Sequence, residues 1–591
     1  MATTTHSVCN RIPLFPPHAD LEQFLELAMF SPFLAIDTET TGYEIRDGRG
    51  WAMGISLCYE LAPGVMQSAY FPFRHKNGGN YDPTLLDKAR HLIENHPALV
   101  FHNAKFDLVS LATLGIRPSG LFYDTMIMAH MVNENLMSKA LDYLSKYYLK
   151  DPGKEKMEAL ELFIKSMGWE NVPSVLMCDY ACKDAELTLM LFMLLDGIMQ
   201  VEKLYDNDLW DYEQQFIRLL IKMEGRGVLI DTELSESQYE YGLAEMARLA
   251  KALGANPASP KDLEKLLITE LGLPVFKQTP GGKPSFDKSA MVKYDAALMK
   301  MGDNDAAKSI LAYRGWQKTT SSNYKAYLDL LSPDGRLRPN YKIHGTVTGR
   351  LSCEKPNLQQ IPRTSDHPWN GNLKSAFIAK EGFTLYEADY SQLELRLASA
   401  YAHENGLINA FATGRDVFSE MAEELGMPRH DVKTLTYTIQ YGGGINRLME
   451  VFGFDEYDAK QVRENFYARY PGFRKVTNIA SVTAKNNGSV KLWSGRKRHF
   501  ASPKDEAHKA FNSVIQGGAA EIMKRTMLRM HDQLDNEDAR MLLQVHDSIV
   551  FEVNDKYRDD VLPEIKRIME SVEPDFGVHF ACDVHEWGKS A

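Results

Sequence analysis

The sequence is short of cysteine and has no long apolar run, and these absences exclude several classes of protein. Its six cysteines are scattered over 591 residues, and none stands in a Cys-x-x-Cys pair. A disulfide framework or a structural zinc site is therefore not expected. The chain has no apolar run of the roughly 18 residues that span a membrane, and its first residues lack the basic and apolar regions of a signal peptide. We expect a cytoplasmic protein without a membrane span.

A positive net charge, which would suggest a nucleic-acid partner, is also missing. The formal net charge is −12 at pH 7. Net charge is a weak test, however, because DNA binding requires only a local basic surface. Residues 291–350 have more Lys and Arg than Asp and Glu, and residues 496–498 form a second basic group. Each group fits a DNA-binding track and an ordinary solvent-exposed face equally well.

The length and the apolar pattern predict several domains. A chain of 591 residues exceeds what one hydrophobic core usually organises. After a proline-rich lead-in over residues 1–30, apolar strands alternate with amphipathic helices over residues 31–200, which is typical of α/β folds. Residues 201–591 begin mainly helical and then alternate strand-like segments with long helices. We expect an α/β domain followed by a larger α+β domain.

Acidic residues end or follow the predicted strands of the first domain. Asp37 and Glu39 lie two apart at the end of a strand, so both can face one site. Asp107 follows another strand, and Tyr180 and Asp184 are four apart, which suits one helix face. Four carboxylates suit two hard divalent cations, Mg²⁺ or Mn²⁺, which can activate water to cleave a phosphodiester. An Asp-x-Glu alone is usually a surface or capping feature, but the full set predicts a nuclease in which Tyr180 orients the water.

Two aspartates define a second candidate metal site in the larger domain. Asp389 begins the segment Asp-Tyr-Ser-Gln-Leu-Glu-Leu-Arg after an apolar strand, and Asp547 lies in Gln-Val-His-Asp-Ser between two apolar strands. Carboxylates on adjacent strands can hold two Mg²⁺ ions, one for a primer 3′-hydroxyl and one for a triphosphate. The pair predicts phosphoryl transfer, in which positioning and charge neutralisation dominate.

One helical segment would supply cations and aromatic rings for a nucleotide. Arg429, Lys433, Tyr437 and Tyr441 recur every four residues and therefore follow one stripe of a helix. Charge would lie near the phosphates, and the rings would lie where a base and a sugar could stack. Taken in isolation, the segment is more simply interpreted as a helix whose aromatic stripe faces the core.

Together, the motifs of residues 200–591 resemble those of the family A DNA polymerases. The segment from Asp389 resembles motif A, residues 429–442 resemble motif B on the fingers helix, and the segment around Asp547 resembles motif C. Residues 348–362, 466–472 and 511–517 also fit. The resemblance implies a right-hand polymerase domain over residues 201–591. Its parts would be a thumb (231–345), a palm (346–405 and 501–591) and fingers (406–500).

The N-terminal carboxylates resemble those of the DEDDy-type 3′–5′ exonucleases over residues 31–200. All four metal-binding carboxylates and the tyrosine of that type are present. The resemblance therefore implies an active nuclease on an RNase H-like α/β fold. Asp124 fits a segment common in these enzymes, and we expect it to support the site structurally. Two Mg²⁺ ions are expected in each of the two sites, with Mn²⁺ as an alternative.

The polymerase resemblance also implies roles for residues around the two aspartates. Glu394, with Tyr441 as its hydrogen-bond partner, should exclude a ribose 2′-hydroxyl and so select deoxynucleotides. The implied nucleotide-binding residues are Arg429, Lys433, Tyr437, Tyr441 and Glu394. The residues expected to contact primer–template DNA, partly through minor-groove acceptors shared by all base pairs, are Arg350, Asn357, Gln359, Asn512, Gln516 and His546.

Four positions depart from, or vary within, the pattern of this resemblance. Ser548 replaces the Glu that commonly follows the motif C aspartate, which should tune metal binding without abolishing it. Phe418 stands where a phosphate-contacting His is common, and His508 stands where an Arg is frequent. Tyr437 stands where many relatives have Phe, and a Tyr there goes with acceptance of dideoxynucleotides.

The function expected from these features is template-directed DNA synthesis from dNTPs with 3′–5′ proofreading. The short lead-in suggests that a 5′ nuclease domain is missing, which by analogy favours a replicative role in a phage or a similar small genome. Two alternatives stay open: a nuclease whose polymerase half is inactive, and a nucleic-acid scaffold without chemistry. Primer–template DNA and dNTPs are the expected partners, and a helicase, primase or processivity factor is not identified.

Overall fold

The structure, a computed structural model, has a sheet-centred N-terminal half and a larger mixed half. It describes residues 8–42, 44–151, 158–302, 305–362, 369, 373–572 and 574–589. Within these ranges, no helix has both the length and the apolar character needed to cross a membrane. The predicted order, an α/β domain before an α+β domain, is confirmed.

One six-stranded mixed sheet organises the N-terminal half. Its strands are β1 (Val8–Arg11), β2 (Leu34–Thr40), β3 (Ala52–Ala62), β4 (Val65–Pro72), β5 (Ala98–Phe101) and β6 (Leu121–Asp124). They lie in the order β1-β4-β3-β2-β5-β6. Strands β2, β5 and β6 are parallel, and β2, β3 and β4 are antiparallel. Leu34, Ala35 and Ile36 are all buried, because both faces of β2 are covered.

Helices cover this sheet and position the second part of the nuclease cluster. They are α1 (His18–Met29), α2 (Pro83–Asn95), α3 (Ala104–Thr113), α4 (Thr125–Val132), α5 (Leu141–Leu144), α6 (Glu158–Met167) and α7 (Ser174–Val201). Helix α7 packs on β2, β3 and β4. The helix that carries Tyr180 and Asp184 therefore lies over the strand that carries Asp37 and Glu39.

The irregular lead-in predicted over residues 1–30 is wrong for its described part. Strand β1 pairs in parallel with β4, and α1 buries Leu21 and Phe24 in the core of the first domain. The prolines that suggested irregularity lie between these two elements, where Pro17 directly precedes α1 and its fixed φ is tolerated.

A four-stranded antiparallel sheet, in the order β15-β16-β12-β17, carries both aspartates of the larger half. Asp389 pairs in register with Ser548, the residue directly after Asp547, and the Tyr390 N–H donates to the Asp547 carbonyl at 3.1 Å. The strands of this half are β7 (Val228–Ile230), β8 (Arg336–Leu337), β9 (Asn340–Lys342), β10 (Ser352–Glu354), β11 (Phe377–Ile378), β12 (Phe383–Tyr390), β13 (Ser489–Lys491), β14 (Lys497–His499), β15 (Ala539–Val545), β16 (Ser548–Asn554) and β17 (Cys582–Glu586).

Helices make up most of the remaining structure of this half. They are α8 (Leu209–Arg226), α9 (Thr232–Leu253), α10 (Pro260–Leu263), α11 (Lys288–Lys300), α12 (Asp305–Gln317), α13 (Lys325–Asp329), α14 (Leu393–Ala402), α15 (Asn405–Ala412), α16 (Val417–Leu425), α17 (Arg429–Gln440), α18 (Ile445–Phe452), α19 (Glu456–Arg469), α20 (Pro471–Asn487), α21 (Pro503–Glu506), α22 (Ala510–Gln533) and α23 (Arg558–Glu570). Helix α22 packs against α8 and α14 behind the sheet.

The basic group of residues 496–498 holds parts of the molecule together. Arg498 reaches Glu134 of the N-terminal half at 2.9 Å, and buried Arg496 pairs with Glu213 of α8. Burying a guanidinium without such a partner would cost several kcal/mol, on the order of the desolvation of one ion. For Arg496 and Arg498, both expectations, a DNA track and a solvent-exposed face, are wrong.

Candidate active sites

Three of the four predicted nuclease carboxylates converge at the end of β2. Asp37 and Glu39 alternate along the strand, and Asp184 comes from α7 above it. One carboxylate oxygen of each lies within 4.8 Å of the others, and Glu39 and Asp184 are buried. Three like charges this close repel one another unless protons or cations compensate them. The oxygen donors therefore suit a hard divalent cation.

Asp107 lies beside this group but outside the 4.8 Å cluster. It is in the first turn of α3, where its Oδ1 accepts from the Thr38 N–H at 3.0 Å and from the Thr38 hydroxyl at 2.7 Å. Burial and the charge of Asp37 raise the pKa of Asp107 well above its usual range. Thr38 thus ties α3 to the strand between the two acidic residues of β2.

Tyr180 and Asp124 both lie near the acidic cluster, on α7 and at the start of α4. Tyr180 is half-buried on α7, one turn before Asp184, with its ring 6.1 Å from that of Trp169. Asp124 accepts from the Ala104 N–H at 2.9 Å and from the Met126 N–H at 2.9 Å, so it joins α3 to α4. Burial raises the pKa of Asp124 to about 6. These contacts hold α3 and α4 in place, and the supporting role expected of Asp124 stays a prediction.

Sequence reasoning missed Glu186, which fixes α7 above the sheet. Its two carboxylate oxygens accept from the Arg11 guanidinium at 2.6 and 2.8 Å, and the Ser68 hydroxyl donates to it at 2.7 Å. A bidentate Arg–carboxylate pair is among the stronger hydrogen-bonded contacts in proteins. Glu186 lies two residues after Asp184, and an acidic residue within an apolar helical stretch was the available signal.

The two aspartates of the larger half line a cleft of about 1190 Å³. Asp389 comes from β12, and Asp547 lies in the tight turn between β15 and β16. His546, the first residue of this turn, has a φ of +55°, a conformation uncommon for residues other than Gly. Antiparallel pairing of β12 with β16 therefore brings two aspartates that are distant in sequence to one end of the sheet.

Glu394 and its partners form the wall of the cleft beside Asp547. Its Oε1 accepts from the Arg350 guanidinium, and its Oε2 accepts from the Tyr441 hydroxyl at 2.8 Å. Arg350 Nη2 also lies 4.0 Å from Asp547 Oδ1. Burial raises the pKa of Glu394, although Arg350 and Tyr441 lower it. The predicted Glu394–Tyr441 hydrogen bond is present, and Arg350 is an additional partner.

Helix α17 presents part of the predicted stripe to the cleft. Lys433, Tyr437 and Tyr441 line it, and the Tyr437 and Tyr441 rings lie 5.8 Å apart. Arg429 is not among the lining residues and instead pairs with Asp416, Nε to Oδ2, at 2.7 Å. This pair lowers the pKa of Asp416 to about 2. Arg429 would have to exchange this partner before it could contact a bound nucleotide.

Two of the departing positions pack around α17. Phe418 is buried with its ring 6.0 Å from that of Tyr437 and 5.8 Å from the Lys433 Nζ, so it supports the helix without a polar contact. The His508 carbonyl lies against Gly442, where an added Cβ would be 2.3 Å from its oxygen. Gly442 also has a φ of +77°, so only glycine fits without strain at this end of the helix.

The predicted DNA-contacting residues fall into two groups. Arg350, Asn357, Gln359 and His546 line the cleft. Asn512 and Gln516 are half-buried on α22, two turns and one turn before Ala520, which does reach the cleft. Because these three α22 positions are four residues apart, they share one helix face.

A second acidic residue of β12 was missed by sequence reasoning. Glu387 lies two residues before Asp389, is buried and lines the same cleft. It contacts Ser548, Lys374 and His585. Burial opposes ionisation, but the hydrogen bonds from Lys374 and Ser548 keep the pKa of Glu387 below its usual range. The two-residue spacing on a strand was a signal that could have found it.

Comparison with known proteins matches one family to the N-terminal half of the chain and another to the larger half. The family pattern of DNA polymerase family A matches residues 232–590, and that of the 3′–5′ exonucleases matches residues 16–200. DNA polymerase I of Pseudomonas aeruginosa is 29% identical over 587 residues, which cover 93% of this chain and 62% of the relative. The thermostable DNA polymerase I of Thermus aquaticus is 32% identical over 419 residues, which cover 66% of this chain and 49% of the relative.

The chain spans about 60% of the length of relatives such as DNA polymerase I of Chloroflexus aurantiacus. Among solved structures, the POL domain of Pol1 from M. smegmatis, in complex with DNA primer-template and dNTP, superposes with a TM-score of 0.82. It is 24% identical, and the match covers 98% of this chain and 99% of that one. The fold predicted from the motifs is confirmed, and the family pattern covers more than half of the sequence. The chain belongs to DNA polymerase family A.

Proposed function

We propose that this chain extends a primer 3′-hydroxyl with dNTPs under the direction of a template and removes mismatched ends with a 3′–5′ exonuclease. The observation that carries the proposal is the cleft in which Asp389 and Asp547 meet Glu394, Tyr441 and Lys433. Carboxylates for metal, a cation for phosphates and aromatic rings for a base and sugar are the parts that nucleotidyl transfer requires.

The donor sets of both sites fit divalent metal ions, and we propose two Mg²⁺ ions in each. Asp389 and Asp547 would hold them in the synthetic site; Asp37, Glu39, Asp107 and Asp184 would hold them in the nuclease site. Bound there, such ions would supply charge neutralisation and an activated oxygen nucleophile. Carboxylate oxygens are the preferred ligands of Mg²⁺, and Mn²⁺ accepts the same set.

In the synthetic site, residues of the chain position the nucleotide. Lys433 would face the triphosphate, and the rings of Tyr437 and Tyr441 would pack on the base and the sugar. Glu394 is held in place by Arg350 and Tyr441, so its carboxylate occupies space beside the sugar. A 2′-hydroxyl would meet this buried carboxylate, whereas a deoxyribose leaves the space free. We therefore propose that the cleft selects dNTPs.

The proposed DNA path uses the polar residues that line the cleft, together with one face of α22. Gln359 Nε2 donates to Gln544 Oε1 at 2.5 Å, and the Gln544 side chain contacts the His546 carbonyl. These amides reach the turn that carries Asp547, so a primer terminus bound there would be aligned with the metal site. Minor-groove acceptors are shared by all base pairs, which suits a polymerase that copies every sequence.

In the nuclease site, Tyr180 stands one helical turn from Asp184 and would orient the attacking water. The carboxylates would hold the metal ions, and those ions would neutralise the charge of the scissile phosphate. A phage-type replicative role and a cytoplasmic location stay predictions.

One gel assay with Mg²⁺ separates the proposed function from its alternatives. We expect the parent to extend a primed template with dNTPs and to shorten single-stranded DNA without them. Asp547→Ala should lose extension alone, and Asp37→Ala/Glu39→Ala should lose degradation alone. Shortening without extension by the parent would identify a nuclease with an inactive polymerase half, and DNA binding without either reaction would identify a scaffold.

A further inference from the structure

Glu387 lies in the synthetic cleft without a role in the function proposed above. It precedes Asp389 by two residues on β12, and side chains two apart on a strand point to the same face. Only 9% of Glu387 is exposed, and its side chain lines the cleft that also holds Asp389 and Asp547. A buried carboxylate so close to two metal-binding aspartates adds negative charge where charge is already crowded, so it requires an explanation.

Three side chains from different elements hold this carboxylate. Lys374 Nζ lies 2.8 Å from Glu387 Oε2, and His585 Nε2 of β17 lies 3.6 Å from the same oxygen. The Ser548 hydroxyl lies 2.9 Å from the other oxygen, Oε1. Lys374 also lies over the ring of Trp587, 4.2 Å from its centroid, so the cation is itself fixed. Both oxygens of Glu387 are therefore engaged, and the side chain has one well-defined position.

The Ser548 contact joins Glu387 to the turn that carries Asp547. Ser548 Oγ lies 2.9 Å from Glu387 Oε1 and 2.8 Å from the Val545 carbonyl, and its single proton is shared or serves one acceptor at a time. A carboxylate is the stronger of these two acceptors. Val545 ends β15 and Ser548 begins β16, so the hydroxyl lies across the base of the turn.

We infer that Glu387 is a positioning residue for nucleotidyl transfer: through Ser548, its carboxylate fixes the Asp547 turn against the strand that carries Asp389. Ser548 stands where the resemblance leads one to expect a glutamate. In this structure a carboxylate from β12 lies beside the residue that begins β16. Ser548 is the hydrogen-bond donor to this carboxylate of the neighbouring strand. This inference rests on the proposed polymerase function.

Glu387→Gln tests the inference, because it keeps the size of the side chain and removes its charge. Single-nucleotide extension should show kcat lowered by about tenfold or more, the usual effect of losing a group that orients metal ligands. The KM for dNTP should change little, since Glu387 is not placed at the nucleotide. The Mg²⁺ concentration for half-maximal extension should rise. Exonuclease activity of the same preparation should be retained and reports that the protein is folded.

A charge-relocation variant distinguishes positioning from mere packing. Ser548→Glu alone places a second carboxylate against Glu387 and should lower kcat through repulsion. The double variant Glu387→Ser/Ser548→Glu exchanges the carboxylate and its donor between β12 and β16. It should recover much of the activity that Glu387→Ser and Ser548→Glu each remove. The matched control is Glu552→Gln, which changes a buried glutamate of β16 that accepts from the Lys380 N–H at 3.0 Å.

Several results would overturn the inference. The inference fails if Glu387→Gln leaves kcat and the Mg²⁺ dependence unchanged. It also fails if Glu552→Gln lowers kcat as much as Glu387→Gln does. A third contrary result is a double variant whose kcat is no higher than that of the less active single variant. If Glu387→Gln does not fold, Ser548→Ala removes only the hydroxyl, and full parental activity in that variant overturns the coupling. If the parent protein extends no primer, the proposed function itself is refuted. If the parent extends the primer and the variant does so equally well, only the role of Glu387 is refuted.

Discussion

At the scale of single residues, the proposed selection of deoxyribose depends on how Glu394 is held. The carboxylate is buried between the Arg350 guanidinium and the Tyr441 hydroxyl, the latter at 2.8 Å. Two fixed partners restrict its rotamers, so the space that it fills does not open when a larger sugar arrives. We therefore expect selection of the sugar to depend on how rigidly the Glu394 carboxylate is held, more than on the strength of any single contact.

Glu394→Ala should therefore admit ribonucleotides. We expect the ratio of rNTP to dNTP incorporation to rise by about tenfold or more, because one group at a tight pocket wall contributes roughly 1–3 kcal/mol of discrimination. Competing single-nucleotide extensions measure the ratio. Tyr441→Phe, which removes only the hydroxyl that holds Glu394, should give a smaller rise. An unchanged ratio in Glu394→Ala would contradict the assignment of this wall.

Tyr437 leads to a second prediction at this scale. Its hydroxyl stays protonated near neutral pH, since burial raises its pKa to about 12. We expect the parent to incorporate dideoxynucleotides readily and Tyr437→Phe, which keeps the ring packed on Phe418, to discriminate against them by about tenfold or more. Termination ladders at fixed ddNTP to dNTP ratios measure this preference. Equal discrimination by parent and variant would show that the hydroxyl is not responsible.

At the scale of elements, the edge strand β15 depends on a side chain from outside its sheet. The Tyr341 hydroxyl of β9 donates to the Gln544 carbonyl at 3.0 Å and accepts from the Gln544 N–H at 3.0 Å. It therefore satisfies both backbone groups that this edge position turns away from β16. Gln544 lies three residues before Asp547, so Tyr341 stabilises the strand that leads to the turn carrying Asp547.

Removing the Tyr341 hydroxyl should destabilise the edge strand β15. Tyr341→Phe leaves two buried backbone groups without their partner, and we expect the free energy of unfolding to fall by about 2 kcal/mol. Urea titration followed by circular dichroism measures the change, and extension should fall more than exonuclease activity. Tyr557→Phe, at an exposed position, is the control and should be close to neutral. An equal effect of the two substitutions would refute the role of the edge contact.

At the scale of the whole molecule, a buried ion pair joins the N-terminal half to the larger half. Lys105 of α3 lies 2.6 Å from Glu224 of α8 and 2.8 Å from Asn340, and Glu224 also accepts from the Tyr341 N–H at 2.7 Å. Burial lowers the pKa of Lys105 to about 8, although Glu224 raises it. The same helix that carries Asp107 is thus attached to the strand that supports β15.

A histidine near Lys105, His344, should make the free energy of unfolding depend on pH. Burial, together with the charges of Lys342 and Lys105, lowers the pKa of His344 to about 4. The unfolded chain, with a histidine pKa of about 6.5, binds a proton between these values that the folded protein does not. The stabilising contribution of neutral His344 is therefore complete above about pH 6.5 and is lost as the pH falls towards 4.

His344→Gln cannot titrate and should lose less stability on acidification. Between pH 7.5 and pH 5, we expect the free energy of unfolding to fall by about 1–2 kcal/mol less in the variant than in the parent. Urea titrations at both pH values measure the difference. His91→Gln, at an exposed position, should follow the parent. An identical loss in parent and His344→Gln would contradict the linkage.

The sequence by itself determined the order of the two domains and predicted the chemistry of the two sites. The spacing of apolar residues along the chain predicts strands and helices, and the residue type predicts which ligand a side chain can bind. Both depend only on short stretches of sequence. Asp37 and Glu39 lie together beside Asp184, and Asp389 and Glu394 line one cleft, whereas their roles there stay predictions.

Only the tertiary structure decided which groups share a partner. Arg429 faces Asp416 and not the cleft, Arg498 pairs with Glu134 of the N-terminal half, and Glu387 of β12 reaches Ser548 of the neighbouring strand β16. Each of these contacts joins residues from different elements, and its existence depends on register and packing that local periodicity does not encode. A charged side chain looks the same in sequence whether it meets DNA, solvent or a buried carboxylate, because burial and partner are properties of the folded chain.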